Sequence, residues 1–96
     1  MGRGLLLTRR LRITGRVQGV WYRGWTGDQA RALGLDGWVR NRRDGSVEIL
    51  VAGSDEALDE LVRRCHRGPS GAEVERVDSE EADEAVPAGF AQRPTL

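Results

Sequence analysis

The sequence predicts an α+β fold in which one antiparallel sheet carries two helices on a single face. Three observations lead there. Apolar and polar residues alternate with the period of a half-buried strand at Leu11–Ile13, Leu35–Val39 and Val47–Val51. Helical stretches near residues 21–33 and 54–67 interrupt those alternations, and an Asp-Gly turn joins the second alternation to the third.

The first strand is expected near residues 9–15, where Leu11 and Ile13 alternate with Arg10, Arg12 and Thr14 and Gly15 ends the run. A helix follows from Trp21 or Tyr22, with Trp25, Ala30, Ala32 and Leu33 as its apolar residues and Gly34 as its C-terminal stop, despite Gly24 and Gly27 inside it. Leu35, Gly37 and Val39 share one face of the second strand, and Val47, Ile49 and Val51 alternate beyond the hairpin loop. The second helix is marked most clearly. Ser54 and Asp55 offer N-caps, Asp55 and Glu56 occupy the first turn, and Arg63, Arg64 and Arg67 occupy the last, as the helix dipole prefers. Leu58, Leu61, Val62 and Cys65 form its apolar face, Gly68-Pro69 ends it, and Asp59/Arg63 and Glu60/Arg64 are spaced as surface pairs.

A strand is expected at residues 73–79, an acidic run from Asp78 to Glu84 reads as a solvated turn, and a short last strand lies near Phe90. Read with right-handed crossovers, the order β-α-β-β-α-β is the ferredoxin-like or split βαβ arrangement. That arrangement hosts enzymes, RNA binders and regulatory modules alike, so function has to come from a site.

Ninety-six residues, 39% hydrophobic and 31% charged, suit one domain with a modest core. The short apolar run Leu5–Leu7 is no signal-peptide core or membrane span, and the single cysteine, Cys65, has no internal disulfide partner, so a cytoplasmic protein without a membrane partner is expected. The net charge of zero conceals an asymmetry. Residues 1–43 hold 10 Arg and 2 acids, and residues 44–96 hold 5 Arg and 13 acids, giving +8 and −8. Such a split marks either an anion site in the basic half or two halves that attract each other on folding.

Residues 15–23, Gly-Arg-Val-Gln-Gly-Val-Trp-Tyr-Arg, join the first strand to the first helix. The helix end presents free N–H groups and about half a positive charge to the loop of Arg16, Val17, Gln18, Gly19 and Val20, and a glycine lets several amides converge, which suits a phosphate. Arg23 in the first turn is repelled by a bare helix terminus, yet clamps two oxygens of a bound phosphate. The same spacing also describes an ordinary tight connection with Arg23 in solvent. Likewise Asn41, before Arg-Arg-Asp-Gly, has the position of a strand-ending turn residue.

Taken together, two stretches resemble the acylphosphatase family. Gly15, Val17, Gln18, Gly19, Val20, Tyr22 and Arg23 fall on its first signature, and Gly37, Trp38, Val39, Asn41, Gly45, Val47 and Gly53 on its second. The resemblance spans roughly residues 10–93 and implies a ferredoxin-like domain at residues 9–94 after a tail at 1–8. It implies metal-free hydrolysis of acyl phosphates to a carboxylate and phosphate, with no cofactor. It also implies that Arg23 and the backbone N–H groups of Arg16 to Val20 hold the phosphate, and that Asn41 holds the attacking water. Three positions depart from the pattern: Tyr22 stands where Phe is more usual, so its hydroxyl needs a partner; Arg42 follows Asn41 where animal relatives tend to carry a smaller residue, so a more cationic water site is expected; and Gln92 stands where the closing strand is usually apolar.

Other residue types read as structural. Cys65 and His66 face different directions on one helix and form no thiol–imidazole pair, and one His with one Cys makes no zinc site. Trp21, Trp25 and Trp38 read as core or loop-covering residues. An RNA-binding or regulatory module of the same fold is the rival, but the aromatic strand motif of RNA-recognition domains is absent, so no nucleic-acid partner is expected. Membership in a larger carbamoyl-handling maturation enzyme is a further alternative. A free-standing monomer acting on a small molecule is the simpler expectation.

Overall fold

A computed structural model of the chain describes residues 6–96. Its elements are β1 (Leu7–Arg16), α1 (Tyr22–Ala32), β2 (Asp36–Asn41), β3 (Val47–Gly53), α2 (Asp55–Arg67), β4 (Glu73–Glu81) and β5 (Phe90–Gln92). The strands form one sheet in the order β4-β1-β3-β2-β5. β1 begins at Leu7, earlier than the alternation suggested, and residues 1–5 of the expected tail lie outside the described residues.

The expected antiparallel sheet needs one correction, because β5 pairs with β2 in parallel. β4 and β5 stand at opposite edges and run in opposite directions, so residues 82–89 need only cross one end of the sheet. The register of β5 is set where the Gly37 N–H donates to the Gly89 carbonyl at 2.8 Å and the Gly89 N–H donates to Asp36 Oδ1 at 2.9 Å.

Alternation places Leu11 and Ile13 of β1, Val39 of β2, and Val47, Ile49 and Val51 of β3 on the helix-covered face, where all are buried. α2 lays Leu58, Leu61 and Cys65 onto that row, as its three-and-four spacing requires. α1 contributes Tyr22 and Ala30, and buries Thr26 by letting its Oγ1 donate to the Tyr22 carbonyl at 2.8 Å. The Tyr22 hydroxyl finds its partner in the Cys65 carbonyl at 2.6 Å and so ties the two helices together. Burial and the adjacent Cys65 push this phenol above its ordinary range, while burial pushes the Cys65 thiol up to about 12.

The acidic run is the second correction. Asp78 to Glu81 continue β4, because Arg12, Arg10 and Arg9 of β1 stand directly opposite Asp78, Glu80 and Glu81. Opposite charges facing across a ladder stabilise the pairing that the like-charged run alone opposes. The sheet order sets the arginine-rich strand β1 between the acidic strand β4 and the Glu48-bearing strand β3, which absorbs part of the charge asymmetry. On the helix-free face Glu48 is only 7% exposed and takes Arg10 at 2.8 Å, Arg40 at 2.8 Å and Arg42 at 3.1 Å. Beside it Trp38 is 4% exposed, covered by the guanidiniums of Arg40 and Arg93 at 4.6 and 4.7 Å from its ring centre. On α2, Glu60 pairs with Arg64 as expected, but Asp59 reaches across to Arg9 and leaves Arg63 to Glu60.

Candidate active site

Register brings the two motifs to one end of the sheet. Ile13 of β1 and Asn41 of β2 both stand opposite Val47 of β3, so the three form one rung. Ile13 and Val47 point into the helix-covered core, and Asn41 shares their face at the edge of the row, half-buried beyond Val39. Three residues past Ile13, β1 ends at Arg16 and the loop to α1 begins at that same end.

Within the loop Val17 is buried in the core, Val20 packs half-buried against it, and Arg16 and Gly19 are exposed. Gly19 at φ +75° makes the turn, a conformation glycine adopts without a Cβ penalty. Gln18 does something the sequence did not disclose. Its Nε2 donates to the carbonyls of Arg42 at 2.7 Å and Ser46 at 2.8 Å. Those residues flank the hairpin loop that the Arg42 N–H closes onto the Ser46 carbonyl at 2.8 Å. The amide therefore clips the loop to the residue immediately after Asn41. Sequence reading counted Gln18 only for its backbone N–H, since no pattern in a loop tells which carbonyls a side-chain amide will meet.

The hairpin loop is itself braced. Asp44 Oδ1 accepts from the Ser46 Oγ at 2.6 Å and the Ser46 N–H at 2.9 Å, and Arg12 also reaches this carboxylate. Those bonds, led by the Ser46 hydroxyl, hold the Asp44 carboxyl down at about 2.

The two helix starts differ in kind. Ser54 caps α2 by accepting from the Ala57 N–H at 3.1 Å, with Asp55 and Glu56 in the first turn. α1 has no side-chain cap and no acid in its first turn, and Arg23 stands there instead. From Gln18 to Gly24 the backbone N–H groups find no intramolecular acceptor among the described residues; the Trp25 N–H is the first that does, on the Trp21 carbonyl at 3.0 Å. Among the described arginines before Asp44, only Arg16, Arg23 and Arg43 have no carboxylate within 4.0 Å. All three belong to the loop, the first turn of α1 or the hairpin. The half-buried side chains of Arg23 and Asn41 make no hydrogen bond to the described residues. Unpaired amides, an unpaired guanidinium and a free carboxamide thus gather at one end of a molecule whose other arginines are largely spoken for, an arrangement that suits a dianion with a water beside it.

Cys65 is sealed in the core and His66 is exposed in the last turn of α2, in keeping with their structural reading.

Comparison with known proteins identifies the family and the fold. The acylphosphatase family model matches residues 9–92. An acylphosphatase of Rhizorhabdus wittichii is 49% identical over 90 residues, covering 94% of this chain and 91% of that protein. Among solved structures, an acylphosphatase from Coxiella burnetii superposes with a TM-score of 0.88 at 31% identity, covering 92% of this chain and 93% of that one. The acylphosphatase of Bacillus subtilis superposes with a TM-score of 0.86 at 33% identity, covering 93% and 99%. With both signature stretches meeting at one end of the ferredoxin-like sandwich and the match running over nearly the whole fold, the chain belongs to the acylphosphatase family.

Proposed function

We propose that the chain hydrolyses acyl phosphates, with Arg23 and the loop amides of Arg16 to Val20 holding the phosphate and Asn41 holding the attacking water. The observation that carries the assignment of roles is the Gln18 clip, which fastens the amide-rich loop to the strand end bearing Asn41. Family membership supplies the substrate class.

In this mechanism the phosphoryl oxygens accept from the loop amides and from the bidentate Arg23 guanidinium, a pairing that strengthens as charge shifts onto those oxygens. The Asn41 carboxamide accepts from the water and directs its oxygen at phosphorus. An amide is no base at neutral pH, so the water proton passes to a phosphate oxygen. A new P–O bond forms to the water, the P–O bond to the acyl oxygen breaks, and its electron pair leaves on the carboxylate. Carboxylates are good leaving groups, so the reaction needs positioning and charge stabilisation more than a strong acid.

The same reading takes the enzyme as a cytoplasmic monomer without a nucleic-acid partner. No described helix is long and apolar enough to cross a membrane. On the helix-free face, where a ferredoxin-like RNA binder would stack bases, Glu48 engages three of the arginines and Trp38 lies beneath two guanidiniums.

Phosphate release from acetyl phosphate tests the roles. Arg23→Ala is expected to cost about 3–5 kcal/mol of transition-state stabilisation, roughly 10²- to 10⁴-fold in kcat/KM. Asn41→Ala should lower kcat with little change in KM, because it places the water and not the substrate. Near-parental rates in either folded variant would remove that residue from the mechanism.

A further inference from the structure

Three large apolar side chains are exposed among the described residues, and two of them, Leu6 and Leu96, lie at the ends of the chain. The third is Trp21, 64% exposed where the proposed phosphate loop passes into α1. Its placement is expensive in two ways. Trp21 adopts the left-handed conformation, φ 68° and ψ 24°, and is the one non-glycine residue at positive φ among those described. Its indole also lies against α1 where residue 24 must lack a side chain, since a Cβ on Gly24 would fall 2.1 Å from Trp21 Nε1. A bulky residue in a disfavoured backbone region and a glycine inside a helix both disfavour folding, and an indole left mostly in water returns little through burial. The outlay fixes an aromatic surface beside the unpaired amides.

We infer that Trp21 is the acyl-group platform of this enzyme and biases it toward aromatic and other apolar acyl phosphates. The inference rests on the hydrolase reading above and deepens it. In-line displacement places the leaving group opposite the attacking water. The water belongs to Asn41, on the hairpin side of the loop to which Gln18 is clipped. The acyl group then leaves on the helix side, where Trp21 links the loop to the first turn of α1. An indole face attracts an aromatic ring by offset or edge contact and an aliphatic chain by excluding water, and offers a methyl group far less area.

The test is a comparison of benzoyl and acetyl phosphate, whose carboxylates are similar leaving groups, in the parent, Trp21→Gly and Trp21→Phe. Glycine accepts the positive φ without strain, so the loop retains its path. The parent should favour benzoyl phosphate in kcat/KM. The benzoyl-to-acetyl ratio should fall about fivefold in Trp21→Gly, chiefly through the benzoyl KM, and stay within about twofold of the parent in Trp21→Phe. Inhibition by inorganic phosphate, read alongside, reports whether the amide cradle is intact. A ratio unchanged in Trp21→Gly, or lost equally in Trp21→Phe, overturns the platform while leaving the hydrolase reading in place. A parent protein that releases phosphate from neither substrate overturns the hydrolase reading itself.

Discussion

Replacing Gln18 with Glu tests the geometry on which the site depends, because it changes one nitrogen to oxygen and keeps the shape of the side chain. In the parent, Nε2 donates both its protons, to the Arg42 carbonyl at 2.7 Å and the Ser46 carbonyl at 2.8 Å. A carboxylate accepts only, so both bonds are lost and a negative charge faces two carbonyl oxygens. Each neutral bond contributes about 1 kcal/mol net, and the half-buried setting lets water partly replace it, so the loss in stability is about 2 kcal/mol. For a domain of this size that lowers Tm by roughly 8–16 °C. Catalysis should suffer more than folding. Once the loop is unclipped from the residue after Asn41, water and phosphate lose their common frame, and a displacement of about 1 Å lowers rates by about 10²-fold. Differential scanning calorimetry and acetyl phosphate turnover read the two effects, with Gln18→Ala beside them to separate loss of the bonds from charge repulsion. Parental Tm and kcat in Gln18→Glu would show that the amide does not hold the hairpin, and the positioning of Asn41 by this loop would go with it.

Glu48→Gln leaves three guanidiniums around a neutral amide and should destabilise the fold by about 3 kcal/mol in urea unfolding, the lower end for a broken buried ion pair because the arginines keep contact with water. Tyr22→Phe removes the hydroxyl from the Cys65 carbonyl and should lower stability by about 1–2 kcal/mol in the same measurement, with acetyl phosphate turnover near the parent's. The Asp44 carboxyl is held at about 2, below its unfolded value of 3.8, so its stabilising contribution is complete above pH 4 and is lost as pH falls toward 2. The stability gap between parent and Asp44→Asn should therefore close over that interval, and carboxyl NMR should place the Asp44 midpoint near its lower end; a midpoint near 4 would refute the Ser46 bracing.

Much of the fold was legible because it is local. The period-two strands, the Ser54 cap, the dipole-matched charges of α2 and the Asp-Gly turn each depend on residues a few positions apart, and each formed about where expected. The acidic end of β4 was misread for the opposite reason. Judged alone, Asp78–Glu81 repel one another, and only the arginines of β1 across the ladder make a strand of them. For Trp21 the sequence left core and loop-covering places open, and only the structure excludes the core, with Gly24 opening a place for the indole on the surface.

By itself, then, the sequence determined the element order, the two signature stretches and the residue types suited to a phosphate, all of which are settled by spacing along the chain. Only the tertiary structure decided that Ile13, Val47 and Asn41 share a rung, that Gln18 reaches carbonyls 24 and 28 residues away, and that β5 joins in parallel. Those outcomes depend on which surfaces meet once the sheet has closed, and contacts between distant segments leave no period for a sequence to display.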